Sequence, residues 1–173
     1  MRKILYYLAS LIIAVVSFSS CLPDNSEEWE KYYAELEAKR KQIQEQYLAD
    51  STLIVNYLLE NDSIAVWDST SGIFYNIIEP GEETHPTVYS SINVTYKGML
   101  LDGTVFDETE NNEPVVLYLG QVISGWQIGI PKIGVDGHII LYLPSYYGYG
   151  NTEYHNLPAN SVLMFEVRLH GFY

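Results

Sequence analysis

Apolar side chains recur at helical spacing in the segment that follows residue 25. Intervals of three and four residues place one set of them on a single face, namely Trp29, Tyr33, Leu36, Ile43 and Tyr47. Ser26–Glu60 has no Gly or Pro, and Glu, Lys, Ala, Gln and Leu are abundant, which predicts a helix over this range. Arg40 and Asp50 interrupt the stripe. The stripe covers about three heptads, so a dimerising helix and a helix packed on its own domain are both consistent with it.

Beyond Gly72 the apolar positions alternate, which predicts strands. Ile92, Val94 and Tyr96 form one such face, and further runs lie at Ile73–Ile78, Val115–Leu119, His138–Leu143 and Val162–Leu169. Five to six strands are therefore expected, with one short helix at Ser124–Ile130 that Pro131 would end or kink. The predicted fold is α+β, with an antiparallel sheet wrapped around the short helix. It occupies residues 72–173 and follows a helical arm and a turn-rich linker at 61–71.

The N-terminus has the pattern of an export signal. Arg2 and Lys3 precede an uncharged apolar run, Ile4–Phe18, which is shorter than the ~20 residues that span a bilayer. Small residues then lead to Cys21, and this segment resembles a bacterial lipoprotein signal. The resemblance implies that residues 1–20 are removed and that Cys21 is lipidated, which predicts a lipid-anchored protein at the periplasmic face or the cell surface. The alternative is a free Cys21 thiol after an ordinary signal.

Composition narrows the classes of function. Asp and Glu number 22 against 9 Lys and Arg, a net charge of -13, and the few cations are not clustered as a nucleic-acid site needs. A single cysteine excludes an internal disulfide framework. The four histidines lack the spacing of metal ligands, so no metal is expected. Gly148-Tyr149-Gly150 lacks the third glycine of a dinucleotide loop, so no cofactor is expected either.

Four ordered blocks carry a resemblance to a known family. They are Val94–Asp107 (VTYKGMLLDGTVFD), Val122–Trp126 (VISGW), Leu143–Gly150 (LPSYYGYG), and Leu157-Pro158 with Leu163–Val167 (LMFEV). Together they resemble the signature of FKBP-type peptidyl-prolyl cis-trans isomerases. Ser71–Tyr75, preceded by a helical arm, is similar to the entry segment of envelope members that carry an N-terminal helical extension.

The resemblance implies an activity and a set of site residues. Such enzymes accelerate rotation about X-Pro bonds, whose barrier is ~18–20 kcal/mol because of amide conjugation. The implied catalytic set is Tyr96, Phe106, Asp107, Ile123, Trp126, Tyr149 and Phe165. Trp126 would form the floor, with Tyr96, Phe106 and Phe165 as walls. Asp107, the Ile123 N–H and the Tyr149 hydroxyl would make polar contacts. The implied substrate-binding positions are Val115, Val122, Gly148 and Leu157.

The partners implied by this family are proline-containing unfolded or partly folded polypeptides of the envelope. The sequence also leaves open a homodimer through residues 26–60. Departures from the family pattern lie at Val115, where an aromatic is common, and at Gly148, where Ala is common. The loop 151–156 offers Tyr154 and His155 without clear equivalents. A module that binds prolyl segments or acts as a chaperone without turnover is therefore the alternative function, and a purely structural lipoprotein is a third.

Overall fold

The computed structural model describes residues 26–173, so the predicted signal segment and Cys21 lie outside the described residues. The helices and strands, in chain order, are α1 (Ser26–Glu60), β1 (Val66–Trp67), β2 (Phe74–Glu79), β3 (Ser91–Leu100), β4 (Val105–Glu108), β5 (Val115–Tyr118), α2 (Ser124–Gly129), β6 (His138–Leu143) and β7 (Leu163–Phe172). Single 3-10 turns lie at Glu110–Asn112, Leu119–Gln121, Ile130–Lys132 and Ser145–Tyr147. None of the helices within residues 26–173 combines the length and apolar character needed to span a bilayer.

The chain divides into two compact units, and the boundary between them lies within α1, between Lys41 and Gln42. In the first unit, the described part of α1 is exposed throughout, and the rings of Trp29, Tyr32 and Tyr33 contact one another along it. The second unit, Gln42–Tyr173, contains the rest of α1 and the whole sheet. The helix predicted over Ser26–Glu60 is present with those bounds.

The seven strands of residues 26–173 form one antiparallel sheet in the order β1-β2-β6-β7-β3-β4, and β5 pairs with the first half of β3. This confirms the predicted fold class. Alternation predicts five to six strands, and β1 and β4 lie outside the five runs that carry this prediction. They are two and four residues long, too short for alternation to distinguish them from loops. The short helix ends at Gly129, where a 3-10 turn containing Pro131 follows.

Each face of the sheet is covered by a different helix. Leu141 and Leu143 of β6 belong to the main core, which also contains Trp126 of α2. Tyr142, which points to the opposite face because side chains alternate along a strand, packs in a second cluster with Ile54 of α1. The segment of α1 around Ile54 therefore packs on its own domain. The main core leaves its aromatic end open to solvent between β3, β4 and α2, where the predicted site residues lie.

Candidate active site

A cleft of about 280 Å³ opens at the aromatic end of the main core. Its lining contains seven of the residues predicted from the sequence, namely Tyr96, Asp107, Val122, Ile123, Trp126, Tyr149 and Phe165. They come from β3, β4, the start of α2, the loop after β6 and β7. The sheet and α2 thus bring together side chains that are as far apart in the sequence as β3 and β7.

Perpendicular aromatic rings form the base of the cleft. Trp126 is 3% exposed, and its ring meets the ring of Tyr96 at a centroid distance of 5.1 Å and that of Phe165 at 5.4 Å, both edge to face. Phe106 meets Phe165 in the same geometry at 5.5 Å. This packing requires Gly98, because a Cβ there would lie 2.8 Å from Phe106 Cζ and 2.9 Å from Phe165 Cε1.

A hydrogen bond joins β3 and β4 at the edge of the cleft. The Tyr96 hydroxyl donates to Asp107 Oδ2 at 2.8 Å. Partial burial raises the pKa of Tyr96, and the hydrogen bond to Asp107 raises it further. The hydroxyl therefore keeps its proton at neutral pH, and the contact orients the carboxylate of Asp107.

The backbone before α2 is held in place by hydrogen bonds to its carbonyl groups. The Ile123 carbonyl accepts from the N–H groups of Trp126 at 3.0 Å and Gln127 at 3.3 Å. The Gln127 side-chain amide donates to the Val122 carbonyl at 2.8 Å. Within residues 26–173 the Ile123 N–H donates to no backbone acceptor. A fixed N–H group without a protein partner at the cleft suits a ligand carbonyl.

Tyr149 and Tyr154 stack face to face, with ring centroids 4.0 Å apart and an interplanar angle of 7°. Burial raises the pKa of Tyr149, and the neighbouring Tyr154 and Asp107 raise it further. Gly148, which precedes Tyr149, lies against Leu163, and a Cβ there would be 2.6 Å from Leu163 Cδ1. Steric conflict with Leu163 thus explains why this chain has Gly148 where Ala is common in the family.

Four predicted residues lie outside the lining of the cleft. Phe106 is behind it, packed on Phe165. Leu157 is 3% exposed in the main core, Gly148 contacts Leu163, and Val115 lies on β5, where it pairs with Val94. The binding roles suggested for these positions stay predictions.

Three residues of the cleft lining are not among those predicted from the sequence. Leu117 and Gln121 flank the cleft on β5 and the turn after it, and Tyr154 covers Tyr149. Alternation along β5 could have placed Leu117 inward, since Val116 on the other face is 56% exposed. Tyr154 belongs to an irregular loop, where no period indicates which side chains turn inward.

The cleft suits recognition of an apolar group beside an amide. Asp107 is the only ionisable side chain of its lining besides the tyrosines, so among the described residues it contains no nucleophilic cysteine, histidine or lysine. Rings can bind an apolar group and exclude water from it, while the Tyr149 hydroxyl and the Ile123 N–H can donate to carbonyl groups. Such a site favours a change of conformation over bond breaking.

Comparisons with known proteins agree with this geometry. FkpA from Buchnera aphidicola subsp. Schizaphis graminum, named an FKBP-type peptidyl-prolyl cis-trans isomerase, is 41% identical over 103 residues, which cover 58% of this chain and 41% of the relative. FkpA from Escherichia coli (strain K12) is 33% identical over 141 residues, covering 81% of this chain and 47% of the relative. The chain therefore spans less than half the length of these two relatives.

Solved structures and a family profile extend the comparison. The crystal structure of FkpA from Escherichia coli superposes with a TM-score of 0.64 and 26% identity, over 95% of this chain and 81% of that one. A peptidyl-prolyl cis-trans isomerase from Pseudomonas syringae shares the fold, with a TM-score of 0.62 and 23% identity over 75% of this chain and 94% of that one. The profile of the FKBP-type isomerases matches residues 82–170, just over half of the sequence. The chain belongs to the FKBP-type peptidyl-prolyl cis-trans isomerase family.

Proposed function

We propose that this protein is a peptidyl-prolyl cis-trans isomerase that accelerates rotation about X-Pro bonds in exported or envelope polypeptides. The observation that carries the proposal is the cleft in which Trp126, Tyr96 and Phe165 meet edge to face beside the Tyr96–Asp107 hydrogen bond. The planar amide is more polar than the twisted one, which has lost its conjugation. A site that removes the amide from water and fits the twisted form therefore lowers the barrier.

The proposed roles are those that the family resemblance implies, and the arrangement of the side chains around the cleft supports them. Trp126 supports the proline ring, and Phe165 with Tyr96 encloses it, while Phe106 holds Phe165 in place. Asp107 contacts the region of the rotating amide, the Ile123 N–H binds a substrate carbonyl, and the Tyr149 hydroxyl donates a further hydrogen bond. Val122 lines the apolar rim. Val115, Gly148 and Leu157 remain the other predicted binding positions. No bond is broken in any of these roles.

A coupled proline-isomerisation assay on the full chain tests the proposal. We expect a rate above the uncatalysed one that scales with protein concentration, and a loss of most of it in Asp107→Leu, which removes the carboxylate but not the bulk. A folded protein, verified by circular dichroism, that gives no rate above background contradicts the enzyme. Binding of prolyl peptides and suppression of aggregation in that case would indicate a binding or chaperone module that uses the same cleft.

A lipid anchor at Cys21 is the second part of the proposal. It is supported by the apolar run Ile4–Phe18 and by the small residues that precede the single cysteine. Metabolic labelling with a fatty-acid precursor should label the wild-type protein but not Cys21→Ser, and that substitution should move the protein from the membrane fraction to the soluble fraction. Equal labelling or an unchanged membrane fraction contradicts the anchor.

A homodimer through residues 26–60 is the third part. Trp29 is 55% exposed and Tyr33 is 60% exposed on α1, and Leu36 continues the same face, so an apolar stripe is available to a second copy. Sedimentation should show a dimer that Tyr33→Glu converts to a monomer. The matched control is Glu35→Gln, two positions after Tyr33 and therefore on the opposite face of the helix, which should leave the dimer intact. A monomeric wild-type protein at micromolar concentration contradicts this part.

A further inference from the structure

Asp50 is a carboxylate that the structure buries. It interrupts the apolar stripe of α1, and only 1% of its surface is exposed. Its partners are neutral groups: Oδ1 accepts from the Gln46 side-chain amide at 2.8 Å, and Oδ2 accepts from the N–H of Ser145 at 2.8 Å and its hydroxyl at 2.6 Å. A buried charge is costly unless hydrogen bonds compensate it, so these contacts hold Asp50 and Ser145 firmly together.

Ser145 in turn organises the loop that carries Tyr149. The Ser145 carbonyl accepts hydrogen bonds from the N–H groups of Gly148 at 3.0 Å and Gly150 at 2.9 Å, the two residues that flank Tyr149. The donors of Ser145 thus face Asp50, and its acceptor closes the turn around Tyr149. A displacement of Ser145 would therefore move both backbone anchors of the Tyr149 side chain.

Two further hydrogen bonds, one of them from α1, fix the same region. The Tyr47 hydroxyl donates to the Gly72 carbonyl at 3.0 Å, and the Tyr147 hydroxyl donates to the Ser71 carbonyl next to it. The loop before Tyr149 is consequently attached to α1 directly, through Asp50, and indirectly, through the segment at Ser71 and Gly72.

We propose that Asp50 is a positioning residue for the isomerase site. It holds Ser145 and, through the turn that Ser145 closes, places the Tyr149 hydroxyl in the cleft. The proposal rests on the isomerase function proposed above. It makes α1 part of the catalytic unit, because a residue 95 positions before Ser145 sets the geometry of a substrate-binding side chain.

Two substitutions at position 50 separate geometry from charge. Asp50→Asn can keep every contact, because its oxygen can accept from both Ser145 donors and its amide can donate to the Gln46 side chain once that amide rotates. Asp50→Ala removes all three hydrogen bonds and leaves the Ser145 donors buried without partners. The conservative variant should therefore restore what the alanine variant loses.

Ile54→Ala is the matched structural control. Ile54 lies on the same helix, is fully buried and packs in the cluster with Phe74, Tyr142 and Val162, away from the 145–150 turn. Its truncation leaves a cavity and lowers stability, but it leaves the Ser145 hydrogen bonds intact. Assays at a temperature where each variant is shown to be folded then compare two destabilised proteins that differ at the turn.

The experiment measures kcat/KM of the full chain by the proline-isomerisation assay, together with amide hydrogen exchange at Gly148 and Gly150. We expect Asp50→Ala to lower kcat/KM about tenfold, and Asp50→Asn and Ile54→Ala to stay within about twofold of the wild type. In a Tyr149→Phe background, Asp50→Ala should lower kcat/KM by less than a further factor of about two, because both substitutions act on the contact of the Tyr149 hydroxyl. Exchange at Gly148 and Gly150 should accelerate in Asp50→Ala alone.

Three results would overturn the positioning role. They are wild-type kcat/KM in Asp50→Ala, an equal loss in Ile54→Ala, or a double variant whose loss is the full product of the two single losses. If the wild-type protein shows no isomerase activity, the proposed function fails. Amide exchange at Gly148 and Gly150 then still decides whether Asp50 holds the turn, and unchanged exchange would refute that as well.

Discussion

The hydroxyl of Tyr96 donates a 2.8 Å hydrogen bond to the carboxylate of Asp107, so the two strands that frame the cleft are joined by side chains as well as by their backbones. Asp107 has one oxygen engaged and one available to a ligand. The Tyr96 ring packs edge to face on Trp126, so the same residue fixes both the polar edge and the aromatic base.

Tyr96→Phe tests this double role. The ring remains and the hydrogen bond is lost, so we expect unfolding free energy to fall by about 1 kcal/mol and kcat/KM to fall about three- to tenfold. Denaturant unfolding and the isomerisation assay measure the two effects. Tyr89→Phe is the control, since Tyr89 is 81% exposed and does not line the cleft, and it should change neither quantity. Unchanged kcat/KM in Tyr96→Phe would show that the orientation of Asp107 does not matter.

Gly98→Ala should displace the Phe106 and Phe165 rings at the base of the cleft. The new methyl group would lie within 3.0 Å of both Phe106 and Phe165, so the rings must shift, and overpacking of this kind costs about 1–3 kcal/mol. We expect lower thermal stability and a loss of kcat/KM larger than the stability change alone explains. Gly171→Ala on β7 is the control, because nothing lies within 4 Å of its added Cβ. Similar behaviour of the two variants would contradict the steric argument.

Tyr154→Ala removes the ring stacked on Tyr149. Aromatic pairs contribute about 0.5–1.5 kcal/mol, and a wall that contacts planar and twisted amides alike affects binding more than the chemical step. We therefore expect KM to rise about three- to tenfold with little change in kcat. Tyr154→Phe keeps the stack and should behave as the wild type. A fall in kcat at constant KM would instead place Tyr154 among the residues that act on the rotating bond.

The raised pKa values of Tyr96 and Tyr149 predict a pH dependence. In the unfolded chain tyrosine ionises at about pH 10, whereas burial keeps both hydroxyls protonated to higher pH in the folded protein. Their contribution to stability is therefore fully present below about pH 10 and is lost as pH rises toward the folded pKa values. Between about pH 8 and 9.5 we expect no fall of kcat/KM, and thermal stability should decline above about pH 10. A tyrosine ionisation below pH 9 in the isomerisation profile would contradict this.

Truncation tests where the functional domain begins. A chain starting at Gln42 keeps Asp50 and Ile54 and should unfold like the full chain, because residues 26–41 belong to the other unit. A chain starting at Gly72 lacks Ile54 and therefore exposes Phe74 and Tyr142. Its free energy of unfolding should fall by at least the ~1.5–3 kcal/mol that burial of the Ile54 side chain contributes. Calorimetry compares the two. Equal stability would place the boundary at residue 72, as the sequence pattern alone predicts.

Local patterns anticipated much of the fold. The bounds of α1 follow from a stretch of good helix formers without Gly or Pro, and β6 was bounded correctly by Gly137 and Pro144. Within the site, the ordered motifs contain seven of the ten residues that line the cleft. Relationships that depend on distant parts of the chain were not accessible. From the sequence, Asp50 is only an interruption of the apolar stripe, because its partner Ser145 is 95 residues away and no local period links the two.

Side-chain contacts in irregular loops were equally hidden. Tyr154 lies between β6 and β7, where the direction of a side chain depends on turn geometry rather than on a repeat. His155, the next residue, has a φ of 49°, a left-handed conformation that alternation or helical spacing does not predict. Only the folded loop shows that Tyr154 turns onto Tyr149.

The position of β7 affects how this chain can acquire its structure. Among the strands of residues 26–173 it comes last in chain order, yet it lies between β6 and β3, so the two halves of the sheet have no connection until Leu163–Phe172 pair with both. A chain synthesised or exported from its N-terminus holds β3 and β6 as unpaired edges throughout that time, open to pairing with other chains. The sheet can therefore close only after Leu163–Phe172 have emerged, and β3 and β6 are exposed to mispairing until then.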